Sequence, residues 1–174
     1  MTVLAKQRLK WFVPTFWVVA FLLDGIISYT FQGFLFQYPV MISTQLFLMA
    51  IVRTVYRFPA ARWLLWVALI IGLFYDSFYS GIIGYYTFLM PAVVIFVRWI
   101  TNYLPDSPLF QGTVYLLVLF GVEFCLFLLN SFFGNTGDFS IFITYDLGPT
   151  IAVNTLLFAA LYYPLTLLLN KVSD

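Results

Sequence analysis

Six runs of apolar residues, at 11–29, 34–52, 61–75, 78–97, 109–133 and 147–169, take up most of a 174-residue chain. A bilayer core about 30 Å thick is crossed by roughly 20 residues of helix, with a range of about 17–25. Four of the six runs meet that length; Pro39 interrupts the second, and the third is short before it reaches Asp76. Hydrophobic residues make up 63% of the chain and charged ones 9%. A soluble domain this small has too much surface for its volume to hide such a content from water. The expected fold is therefore all-α, a polytopic six-transmembrane-helix bundle forming a single domain over residues 1–174.

Residues 63–97 as one helix would be about 50 Å long, well beyond what a bilayer requires. The chain must turn within them, and Asp76-Ser77, Ser80-Gly81 and Gly84 are the turn-forming residues available. A tight hairpin is expected to join the third and fourth runs. Lys6, Arg8 and Lys10 before the first run look superficially like the start of a signal peptide. The run carries Asp24 and no small-residue cleavage pattern, so it is expected to stay as a first span.

The basic residues test this topology, because Lys and Arg gather in cytoplasmic loops. With the N-terminus inside, Lys6, Arg8, Lys10, the loop bearing Arg53, Arg57 and Arg62, then Arg98 and Lys171 all fall on one side. The opposite loops hold no Lys or Arg and contain Asp76, Asp138 and Asp146 at or near their ends, the longest covering about 134–146. Six spans with both termini cytoplasmic follow. Trp11, Trp63 and Trp99 lie beside the basic positions, as interfacial anchors do.

Catalytic chemistry has little to build on. The chain has no His, its one Cys, Cys125, lies in an apolar run, and there is no phosphate-binding glycine loop, so neither a metal site, a bound cofactor nor enzymatic activity is expected. No basic patch or stripe suits nucleic acid. Attention falls instead on ionisable and amide groups inside the spans, which are costly there and usually face the bundle interior. Counted from the cytoplasmic ends, Asp24, Asp76 and Glu123 lie about 20–22 Å up their helices, on one level. Gln45, Asn130 and Asn154 share that outer half. A carboxyl at this depth without a cation needs hydrogen-bond donors, water or a proton. Three readings stay open: a polar pocket open to the outside, a hydrogen-bonded packing cluster, and contact with a partner protein. Asp76 has the further option of capping the following helix, and Gly72, Gly81 and Gly84 suit close helix approach or turn geometry.

The stretch Gly72-Leu-Phe-Tyr-Asp76-Ser-Phe-Tyr-Ser-Gly-Ile-Ile-Gly84-Tyr-Tyr-Thr-Phe-Leu-Met-Pro91 resembles the central motif of the rod shape-determining protein MreD family. Length, span count and basic N-terminus are similar to that family as well. The resemblance implies a non-enzymatic scaffold in the bacterial inner membrane, part of the elongation machinery for lateral peptidoglycan. It implies the single-span protein MreC as partner, working with MreB, the glycosyltransferase RodA and a penicillin-binding protein. Gly72, Asp76 and Gly84 carry over as motif positions, with a turn or partner-contact role.

The family is also similar in fold to the substrate-binding subunits of energy-coupling-factor vitamin transporters, which makes a small-solute transporter subunit the competing function. Two features count against it. The alanine-spaced docking signature is absent from the first run, where Ala20 is followed four residues later by Asp24, and the outer loops are short for a lid.

Overall fold

The computed structural model describes residues 3–133 and 138–173. Of the positions named above, residues 134–137 of the outer loop and the side chains of Lys6, Arg8 and Ser80 lie outside the described residues. The described chain is helical without strands. Its elements are α1 (Val3–Thr30), a short α2 (Gln32–Leu35), α3 (Leu46–Arg57), α4 (Leu64–Tyr75), α5 (Tyr85–Ile100), α6 (Pro108–Phe132), a short α7 (Phe139–Ile141) and α8 (Gly148–Ser173). Wide π-type turns at Asp76–Ser80 and Phe142–Leu147 extend α4 and lead into α8.

Among the described residues, three stretches are long and apolar enough to cross a membrane: Leu9–Thr30, Pro108–Phe132 and Phe139–Lys171. Leu64–Tyr79 and Tyr85–Ile100 are apolar but shorter. The run at 34–52 is not one helix, which corrects the sequence expectation. It breaks into α2, a turn, a non-helical segment at 40–45, and α3, whose 12 residues reach only about 18 Å. The fourth run also starts later than expected, at Tyr85, because the π-type turn and Gly81 to Gly84 occupy its first residues.

The short α3 is the centre of the molecule. Every residue from Leu46 to Tyr56 is buried, and α1, α5, α6 and α8 pack around it. A helix apolar on nearly all sides has no face for water or headgroups and is stable only when other helices enclose it. The outer helices invert the pattern of a soluble protein. Leu22, Leu23, Ile26, Ile70, Leu73, Leu117, Phe120, Leu156 and Leu167 are exposed, whereas Asp24, Gln45, Arg53, Asp76 and Asn154 are buried. An apolar exterior around a core that holds the buried polar groups suits a hydrocarbon solvent. Arg53, expected in a loop, is a helical residue only 4% exposed.

The hairpin between α4 and α5 depends on Gly72. A Cβ placed there would lie 2.5 Å from the carbonyl oxygen of Tyr86 and 3.0 Å from the Cα of Thr87. Only a residue without a side chain lets the two backbones approach so closely. At the tip, Gly81 has φ +69° and Gly84 has φ +121°, conformations that strain any L side chain.

Candidate functional site

The non-helical segment at 40–45 creates the central structural problem. Backbone N–H and C=O groups away from water must be satisfied within the protein, and helix or closed-barrel bonding is the usual solution in a bilayer. Here neither applies, so other parts of the chain supply the partners. Met41 N–H donates to the carbonyl of Tyr145 (3.0 Å), Ile42 N–H to that of Leu35 (2.8 Å), and Ser43 N–H to Oγ1 of Thr150 (3.1 Å).

Asn154 on α8 does most. Its Oδ1 accepts from Gln45 N–H (3.0 Å) and from the Tyr115 hydroxyl (3.0 Å), while its Nδ2 donates to the carbonyls of Ser43 (2.7 Å) and Thr150 (2.8 Å). Two donated and two accepted bonds use the full capacity of an asparagine amide. The Gln45 side chain turns the other way, its Nε2 donating to Oε1 of Glu123 on α6 (2.9 Å).

The start of α3 needs a cap that Gln45, at the N-cap position, does not provide. Asp24 of α1 provides it from outside the helix. Its Oδ1 accepts from Leu46 N–H and its Oδ2 from Phe47 N–H, both at 2.8 Å, and the residue is 2% exposed. The first N–H groups of a helix lack intrahelical partners and carry its positive dipole end, so a carboxylate there is held without a cation.

Asp76 plays the same part for α5. Its Oδ1 accepts from Tyr86 N–H (2.7 Å), and its Oδ2 from Gly84 N–H (2.8 Å), Thr87 N–H (3.0 Å) and the Thr87 hydroxyl (2.7 Å). The spacing of the motif now has a physical account: Gly72 lets α4 meet α5, Asp76 caps α5, and Gly84 turns the chain so that its own N–H reaches Asp76.

The two caps are joined by aromatic packing. Tyr75 lies between them, its ring 6.2 Å from Phe47 and 4.2 Å from Tyr86, with Phe21 edge-on at 5.4 Å. Of the six ionisable and amide residues singled out in the sequence, Asp24, Gln45, Glu123 and Asn154 thus meet around the start of α3, and Asp76 caps α5. Asn130 does neither. It is exposed and lines a separate cleft with Tyr79, Tyr85, Tyr86 and Leu126. Tyr115, Ser43 and Thr150, not singled out in the sequence, complete the network.

A short half-helix inside a ring of longer helices, capped by buried carboxylates and enclosed by an apolar exterior, defines a polytopic membrane protein of the helical class. A family model described as rod shape-determining protein MreD matches residues 5–172. The chain belongs to that family, which places its role in determining rod shape. Neither a curated protein nor a solved structure matches it.

Proposed function

We propose that the chain is a non-enzymatic scaffold of the bacterial elongation machinery, which holds MreC and through it positions RodA, a penicillin-binding protein and MreB. In this reading residues 1–174 form one domain of six membrane crossings in the inner membrane, with both termini cytoplasmic. The segment at 34–57 counts as one crossing, made of α2, the non-helical piece and α3. The fold class is that of the substrate-binding subunits of energy-coupling-factor transporters, used here for assembly instead of solute capture. Asp24, Gln45, Glu123 and Asn154 then serve the fold, and Gly72, Asp76 and Gly84 shape the hairpin beside which a partner docks.

The observation that carries the scaffold reading is a groove of about 250 Å³ between α5 and α6, walled by Leu89, Val93, Phe96, Val118 and Val122, with Ala92 and Gly121 in it. A Cβ at Gly121 would meet nothing within 4 Å among the described residues, so their packing does not require a glycine there. Small residues on an outward apolar face let a second helix come close, and in lipid this close packing replaces the hydrophobic effect as the driving force. The single transmembrane span of MreC is the occupant assigned.

The test is purification of the tagged chain from its native membrane in mild detergent, followed by mass spectrometry of proteins and small molecules. A single-span partner with wall synthases is expected for the wild type and should be lost from Gly121→Phe while the fold is retained. Recovery of an ATPase module with its coupling subunit, together with a stoichiometric vitamin-like ligand, would overturn the scaffold in favour of a transporter.

A further inference from the structure

At the basic end of the bundle, the last turns of α3 and α8 and the start of α6 enclose a second cavity of about 240 Å³. Arg53 forms its inner wall. One guanidinium nitrogen, Nη2, donates to Oγ1 of Thr166, which itself donates to the carbonyl of Tyr162 (2.6 Å). The guanidinium carbon sits 4.1 Å from the centre of the Tyr162 ring. These contacts hold the side chain in place from one side. They bring no negative charge, and among the described residues no carboxylate forms an ion pair with Arg53. Asp106, across the cavity, is hydrogen-bonded to the side-chain amide of Gln111 instead.

Three polar atoms of the wall lack hydrogen-bond partners among the described residues: Nε of Arg53, the hydroxyl of Tyr56 and Oε1 of Gln111. All three residues are buried. Buried polar side chains in native proteins are nearly always paired, and a buried cation without a counter-charge is among the costliest arrangements. Among the lining residues Asp106 alone brings a carboxylate, and its hydrogen bond goes to Gln111 and not to the guanidinium. The N-terminus of the 25-residue α6 opens beside the cavity and adds its positive dipole end.

We propose that this cavity binds a phosphodiester group, with its anionic oxygens accepting from Arg53 Nε and the Tyr56 hydroxyl and a hydroxyl or amino substituent donating to Gln111 Oε1, the three side chains rotating toward the ligand because these atoms are covered in the unliganded chain. The carboxylate of Asp106 disfavours a dianion and suits a group bearing a single negative charge. The volume accommodates a headgroup and not a whole lipid, so acyl chains would lie along the outer helices. Basic pockets between transmembrane helices hold lipid headgroups in this way. A soluble phosphoryl compound has the same chemistry, and the experiment separates the two sources.

The full chain, stripped of lipid by extended detergent washing, is titrated with phosphatidylglycerol or, separately, with inorganic phosphate. Thermal unfolding and native mass spectrometry are the readouts. One retained phospholipid per chain and a saturable rise in unfolding temperature are expected with phosphatidylglycerol. Arg53→Gln should abolish both. Tyr56→Phe removes a hydroxyl with no partner among the described residues, so the lipid-free unfolding temperature should stay unchanged while the apparent affinity falls about fivefold, the loss of one hydrogen bond. An equal rise with millimolar phosphate, competing with the lipid, would support the phosphoryl site with a soluble source. Absence of binding by both ligands, or lipid binding unchanged in both variants, would overturn the proposal.

Discussion

Replacing Asp76 separates a capping role from a role in contact with another protein. Its carboxylate accepts four hydrogen bonds, from three backbone N–H groups and the Thr87 hydroxyl. Asp76→Ala removes all four and leaves the N–H groups of Gly84, Tyr86 and Thr87 without this partner. An orphaned buried donor costs about 1–3 kcal/mol. The three do not add fully, since α5 can shift toward other acceptors, so a loss of about 3–5 kcal/mol is expected. Asp76→Asn can keep its amide oxygen at the Oδ2 position, where three of the four bonds converge. It loses the Tyr86 bond and the charge assistance, at a cost of about 1–2 kcal/mol. The assay is equilibrium or thermal unfolding of the purified chain in detergent, followed by tryptophan fluorescence and circular dichroism. The expected order is wild type, then Asn, then Ala. Equal losses in the two variants, or an Ala variant within about 0.5 kcal/mol of wild type, would refute the capping argument. The second outcome would move the importance of Asp76 to an external partner.

At Asp24 the same pair of substitutions should behave differently, because each oxygen serves its own backbone N–H. An asparagine turns one acceptor into a donor facing a donor, so Asp24→Asn should lose nearly as much stability as Asp24→Ala, about 2–5 kcal/mol in the same unfolding assay. Glycine to alanine should change sign along the chain. Gly72→Ala drives a Cβ into the Tyr86 carbonyl and should destabilise the α4–α5 hairpin, whereas Gly121→Ala meets open space and should stabilise the isolated protein by up to about 1 kcal/mol through helix propensity. Side-by-side melting curves of the two variants check both signs.

Where the sequence could be read and where it could not follows from the range of the interactions. Apolar length is a local property, and the boundaries of α1, α4, α6 and α8 fall within a few residues of the runs, apart from the N-terminal turns of α1. The motif was legible for the same reason: Gly72, Asp76 and Gly84 act on each other across one hairpin. Pro39 likewise announced an interruption in the second run. What it could not announce was how the non-helical backbone that follows is held, because the groups that satisfy that backbone are far away in sequence. Gln45 and Asn154 are 109 residues apart, and Leu46 and Asp24 are 22 apart. Depth counting put Asn130 with the acidic level, yet it lies seven residues beyond Glu123 on α6, a rise of about 10 Å that carries it past the start of α3. Arg53 was misread because a cation at the end of an apolar run looks like a loop boundary. Its burial became visible only when α3 proved to be enclosed on every side.

The polar residues inside the bundle thus have an architectural cause. A helix that starts in mid-bundle exposes N–H groups, a non-helical segment exposes both donors and acceptors, and Asp24, Asp76 and Asn154 are placed to meet them. A ligand competing for these carboxylates would have to take the place of bonds that hold α3 and α5, which separates this belt from a solute-binding site that must empty and refill. The α5–α6 groove and the Arg53 cavity differ in kind: one has a glycine that internal packing does not require, and the other has polar atoms that internal bonding leaves unused. Recognition of other molecules is expected where the chain has not satisfied itself. On that logic, Gly121→Phe and Tyr56→Phe should alter binding with the fold retained, and substitutions at Asp24 or Asn154 should unfold the centre before they alter any partner.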